Sequence, residues 1–367
     1  MSDTKLSTIE TILVILTIFV AHSIVSMPKY LLLLTNSATL INLIYIGIII
    51  FFIAYIIYKL LKNFPGSDIV DISDYIGGKT LKNIMGSIFI FYFMTSSAIL
   101  IRKFCESIKV VYYPLTNVIF IVLAFIITIC ITNKFEFATT AKVNLIVLPI
   151  AIFSILFLFG ANVKYFQATN IFPIFGKGIF NTFVTGLGNL GAFGGISLLY
   201  FTPPFIKEPS KTKKIFLISV GLSILYIILC VGIILFMFPF LMKVGEIIPL
   251  YSVARYVEFG SFFQRLESLF LLIWILEIAC YLSITTSLSL SIFKKLTNIK
   301  NTKPIVYIFA LLTFSIAMFP KNYAISQFIE STIHRYFSIG ITFILGISIL
   351  IIGNIKKRKK KVGENHV

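Results

Sequence analysis

The sequence predicts an all-α polytopic membrane protein: ten transmembrane helices in a five-plus-five inverted repeat, with broken first and sixth helices. Three observations predict it. The 367-residue chain is 58% hydrophobic and 13% charged, whereas an average soluble domain is about 25% charged. Apolar runs of about 20 residues, the length that crosses a bilayer as a helix, recur from end to end. They are continuous rather than alternating, which excludes a transmembrane β-barrel. Ten spans divide into five and five, so the second half runs through the membrane upside down relative to the first, a common plan of secondary transporters.

Taken in order, the spans lie near 9–28, 39–61, 83–102, 114–132, 143–161, 182–205, 215–240, 263–292, 304–320 and 336–354. Asp3 and Glu10 flank the first run and the next helix follows almost at once, so it reads as a helix and not a cleaved signal. The linkers are short, which makes 1–355 one ten-helix domain, with repeats at about 9–161 and 182–354. A basic tail, 356–367, carries "KKRKKK". With both termini cytoplasmic, 21 of the 32 Lys and Arg residues fall inside and 11 outside, in keeping with the positive-inside rule. Contact with anionic headgroups accounts for much of the +18 charge, so the expected partner is the lipid bilayer and not nucleic acid.

Both leading helices carry breakers. In the first, "AHSIVSMPKY" sets His22, Ser23 and Ser26 inside the apolar run and Pro28 near its outer end. In the sixth, "GLGNLGAFGGISLLYFTPP" (186–204) has five glycines in its first ten residues, each costing about 1 kcal/mol in a helix interior. Two readings stand. The helix unwinds over Gly188–Gly195, and its freed backbone groups line a ligand cavity. Alternatively, Gly191 and Gly195 form a small-residue face against a neighbouring helix. On the first reading the ligand-binding residues are Ala21, His22, Ser23, Ile24 and Val25 of helix one, with Gly188, Asn189, Gly191, Ala192, Phe193, Gly194 and Gly195 of helix six. Gly186, nearer the outer end, is expected to tolerate alanine.

Ionisable residues at membrane depth are costly and point to function. Glu277, in "LLIWILEIACYLSITTS", lies roughly 20 Å into the eighth span at helical rise and shares a face with Trp274 and Tyr281. Glu277 and Tyr281 join the candidates. Glu277 is either a coupling or substrate-contact carboxylate or a neutral side chain bonded to a neighbouring helix. His22 is either a helix-to-helix hydrogen bonder or a proton relay. Lys142 either snorkels to the surface or is a fixed cation in place of sodium. Arg265 and Glu267 are expected at the outer interface. "IPLYSVARYVEFGSFF" reads as a short outer helix from Pro249 to Gly260, a lid or a headgroup-level helix. Cys105, Cys130, Cys230 and Cys280 have no paired spacing. No phosphate loop, "HExxH", "GxSxG" or clustered metal ligands occur, so neither an enzyme nor a cofactor is expected.

The order of five segments resembles the B subunit of the spore germinant receptors of endospore-forming bacteria: "MPKYLL", "FPGSDIVDISDYIGG", "ATNIFPIFGKG", "GNLGAFGGISLLYFTPPFIKEPSKTKK" and "IPLYSVARYVEFGSFFQRLESLFLLIWI". The resemblance covers nearly the whole chain. It implies the amino acid–polyamine–organocation transporter fold, the LeuT-like inverted repeat. It further implies a place in the spore inner membrane, A and C subunits as partners, and a small-molecule germinant, often an amino acid, as ligand. Two features depart from the pattern. Many relatives have a glycine-rich turn where this chain reads "AHSIVSMP", and many have an acidic residue where it reads "GGIS", so that Ile196 and Ser197 leave helix six uncharged.

Overall fold

The computed structural model describes residues 5–25, 27–135, 137–239, 248–257, 266–299 and 301–364, the last four in backbone alone. Its helices are α1 (Thr8–Val25), α2 (Met27–Thr35), α3 (Thr39–Leu61), α4 (Ile69–Tyr112), α5 (Val118–Thr132), α6 (Phe137–Asn162) and the short α7 (Ile179–Phe183). A 3₁₀ helix, Thr185–Tyr200, follows. Next come α8 (Thr212–Met237), the short α9 (Pro249–Arg255), α10 (Glu267–Thr297) and α11 (Ile305–Met318). The chain ends in α12 (Tyr323–Phe328), α13 (Arg335–Ile339) and α14 (Gly346–Glu364), which π-helical turns at Ile329–His334 and Gly340–Leu345 join into one rod. Eight helical stretches are long and apolar enough to cross a membrane. The shorter apolar helices α5 and α11 fall on the fourth and ninth expected spans.

Local chemistry sets the boundaries. Asp68 accepts the N–H groups of Val70 and Asp71 while the Asp71 carboxylate takes the Asp68 N–H, a capping box that starts α4. Gly78, at φ 63°, breaks helical geometry within α4 and separates its first turns from the span. Asn117 caps α5, and Asn298 in the left-handed conformation ends α10.

Helix six corrects one expectation. Gly188–Gly195 does not unwind into coil. The segment tightens into a 3₁₀ helix, with Phe193 (φ −96°, ψ 20°) as its non-helical residue. At about 2.0 Å per residue, Thr185–Tyr200 covers roughly 32 Å, enough for the ~30 Å bilayer core; an α-helix of that length would fall short. The glycines also admit neighbours. A Cβ at Gly195 would sit 2.8 Å from Ile18 Cγ2, and one at Gly194 would sit 2.0 Å from Ser338 Oγ. Gly186 is equally confined, since its Cβ would meet Asn42 Nδ2 at 2.3 Å. Asn42 is fixed there by its bond to the Thr182 carbonyl and by one from Asn189, so the expected tolerance of alanine at 186 does not hold.

Helix one is described as helical up to Val25 and again from Met27. Pro28 is buried in the helical stretch Met27–Thr35. Ser26 lies outside the described residues, as do Glu258, Gly260 and Arg265 of the expected outer helix and interface. The described part of that outer helix, α9, buries Leu250 and Val253 against the protein.

Segments near each end of the described chain are tied to linkers between helices. Leu6 pairs with Phe205 and Lys207, Lys295 bridges Asp68 and Asp71, and Lys356 donates to the Tyr75 and Ile76 carbonyls. A surface cleft is lined by Asn133, Phe205, Lys294 and Asn301. Two expected boundaries move. The basic run at 356–361 continues α14 as helix rather than forming a separate tail. Because α4 extends to Tyr112, Arg102 and Lys103 are buried helical residues rather than outer-loop cations.

Candidate functional site

A cavity of about 60 Å³ lies between α1 and α2, α4, the 3₁₀ helix, α10 and the C-terminal rod. A water needs roughly 10–15 Å³ of such space, so the cavity suits a ligand of about five heavy atoms or a small water cluster. Its walls combine apolar side chains (Ile18, Met27, Phe93, Ile99) with a set of polar groups. His22 Nε2 is 3.0 Å from the Tyr281 hydroxyl, the two rings meeting edge-on. The Tyr30 hydroxyl donates to the Gly188 carbonyl at 3.3 Å. Tyr92 and Ser338 share a hydrogen bond of 3.0 Å. Ser96 Oγ lies 2.8 Å from His334 Nε2, and the His334 ring stacks on Tyr92. Lys103, fully buried, pairs with Glu330 and donates to Gln327 Oε1 at 2.8 Å. The Arg335 guanidinium lies over the Tyr30 ring, 3.6 Å from its centre.

The departures from α-geometry position these groups. Neighbouring residues on an α-helix diverge by about 100°, yet His334 and Arg335 both face the cavity at the point where the π turn ends. Single π turns recur at functional sites. Across the cavity, the Cα positions of Gly191 and Gly194 allow the rod to approach. A Cβ at Gly191 would lie 2.7 Å from Arg335 Cγ and 2.9 Å from the Tyr30 hydroxyl.

Of the residues singled out by sequence, His22, Gly191, Ala192, Gly194, Gly195 and Tyr281 line the cavity. Ala21, Ile24 and Val25 pack in the apolar core. Ser23 donates to the Phe19 carbonyl at 2.7 Å. Gly188 contributes its carbonyl to Tyr30, Asn189 is bonded to Asn42, and Phe193 packs against Phe19. Glu277 is fully buried outside the cavity wall, beside Thr17 and within electrostatic reach of Tyr226. The single Thr17 hydroxyl proton is directed to the Leu13 carbonyl and Asn144 Oδ1, so neither Glu277 oxygen has a hydrogen-bond partner among the described residues. Asn144 Nδ2, the Tyr226 hydroxyl and Trp274 Nε1 are also unpartnered.

Sequence reasoning missed Lys103, Glu330, His334, Arg335 and Ser338, because it placed the first four in outer loops. The spacing of Glu330, His334 and Ser338 at four-residue intervals was the available signal of a helical face.

A family profile described as "Spore germination protein" matches residues 5–326. The chain is 24% identical to spore germination protein YndE of Bacillus subtilis, covering 97% of this chain and 98% of that protein. It is 24% identical to spore germination protein A2 of the same organism, over 87% of each chain, and 21% identical to spore germination protein B2, over 88% of each. Glu330, His334, Arg335 and Ser338 lie beyond the matched profile.

Proposed function

The chain belongs to the spore permease family of spore germination proteins, and from that premise we propose that it is the B-type membrane subunit of a spore germinant receptor. It binds a small germinant in the cavity between helix one, the 3₁₀ helix and the C-terminal rod, and works with A and C subunits in the spore inner membrane. Its two halves are related as an inverted repeat, and both termini are cytoplasmic. The observation that carries this reading is the cavity itself: a space where the two helices with breakers meet, lined in part by His22, Tyr30, Tyr92, His334 and Arg335. Irregular backbone within a membrane protein is tolerated where it lines such a space.

A second reading, an active secondary transporter of an amino acid or related solute, is favoured by Glu277. A buried carboxylate that has no hydrogen-bond partner among the described residues, next to α1, is the kind of group that takes up and releases a proton or cation during transport. Two measurements separate the readings. Spores carrying Tyr281→Phe or Ser96→Ala should require more germinant while containing normal amounts of protein. Proteoliposomes of the purified chain should not accumulate radiolabelled amino acid; concentrative uptake there would establish the transporter instead.

A further inference from the structure

With Lys103 paired to Glu330 behind the wall, the charges around the cavity carry one positive charge in excess. Lys103 and Glu330 neutralise one another, and Arg102 is paired with Glu106 at 2.8 Å. The titratable neighbours His22 and His334 are engaged with Tyr281 and Ser96. Arg335 remains. It is 8% exposed, has no carboxylate within salt-bridge distance among the described residues, and its Nε–H has no hydrogen-bond partner. Its contact is the face of Tyr30, whose hydroxyl is tied to the Gly188 carbonyl, so the aromatic plate beneath the guanidinium is held in place. A buried, unpaired guanidinium is expensive unless something anionic completes it. The guanidinium fork matches a carboxylate in two parallel hydrogen bonds.

We infer that Arg335 is the receiver of a carboxylate, and that the cavity takes a small monocarboxylate, of the size of propionate, glycine or alanine. This rests on the reading of the cavity as a ligand site and adds its chemical class and anchoring residue. Tyr30 orients the fork, and the Lys103–Glu330 pair keeps Glu330 from filling the same role. A Cβ at Gly191 would push against both Arg335 and Tyr30, so the glycine is what lets the plate and the fork coexist.

The test uses the full chain in lipid nanodiscs, with thermal unfolding and the fluorescence of Trp274, the single tryptophan, as readouts. The probes are propionate, glycine and L-alanine against propionamide, glycinamide and L-alaninamide. At least one acid should raise the unfolding midpoint, and its amide should not. Arg335→Gln should weaken that acid at least about 30-fold, the low end for removing one partner of a buried charge pair, and Arg335→Lys should fall between. Without ligand, Arg335→Gln should unfold at or above the wild-type temperature, because the uncompensated charge is gone; a merely structural arginine would lower it. Amides binding as well as acids, or acids binding Arg335→Gln as they bind wild type, would overturn the pairing and leave the cavity reading intact. Absence of binding by every probe overturns both.

Discussion

Helix six and the C-terminal rod depart from α-geometry in opposite directions. The first is tightened to 3₁₀ over Thr185–Tyr200, and the second is widened by π turns at Ile329–His334 and Gly340–Leu345. They face each other: Gly191 against Arg335, Gly194 against Ser338, and Tyr200 donating to the Thr342 carbonyl at 2.7 Å. The comparison teaches that the cavity arises from two complementary irregularities. A tight, side-chain-poor helix withdraws from the space, and a wide helix turns additional polar residues into it.

The largest effect should come from refilling the tight side. Gly194→Val would place its Cβ where Ser338 Oγ lies 2.0 Å away and the Tyr92 hydroxyl 2.4 Å away. Overpacking of this kind costs about 1–3 kcal/mol and more where neighbours cannot move. Most of the protein should be lost from membranes on immunoblotting; normal levels would mean the two helices are farther apart than described. Narrowing the wide side should be subtler. Deleting Ser331 lets 329–334 close as an α-helix, so membrane levels should be retained while the germination response is lost. A normal response would show that the π turn does not position Glu330, His334 and Arg335 for function.

Smaller still is Ser96→Ala, which removes the bond to His334 Nε2 for about 1 kcal/mol. The half-maximal germinant concentration should rise by about fivefold at most, and a complete loss would give Ser96 a direct ligand contact. Glu277→Gln should have the least effect on stability, since the carboxylate it replaces has no hydrogen-bond partner among the described residues. Its unfolding midpoint should equal or exceed wild type. A drop of several degrees would reveal an interaction that the carboxylate makes with its surroundings. Glu277→Lys, which buries the opposite charge, should lower protein levels.

The sequence made the helices legible because apolar length is a compositional property. It also marked helix six, since five glycines in ten residues have few explanations inside a membrane. The form of the irregularity was less visible: unwinding, tightening and close packing all call for glycine, and contact with Ser338 and Ile18 decided among them. The C-terminal rod was legible only from its apolar part. Glu330, His334 and Arg335 interrupt the hydropathy pattern, so they read as loop. A π turn is one residue of extra length and leaves no signature in composition. Lys103 was misplaced for the same reason: a charged residue ends an apolar run on paper, yet here its charge is carried inside the protein by Glu330. His22 and Tyr281 were legible because each is a polar residue stranded within an apolar run, and they proved to touch.

The central claim is that the space between helix six and the rod is where the germinant sits. Ala192 borders that space, and Ala192→Leu adds bulk to it from the tight side. The decisive measurement is the germination dose response of Ala192→Leu spores, with protein level determined on the same preparation. The account expects near-normal protein with the response shifted at least about tenfold, equivalent to about 1.4 kcal/mol of lost binding. An unshifted response at normal protein level would contradict it.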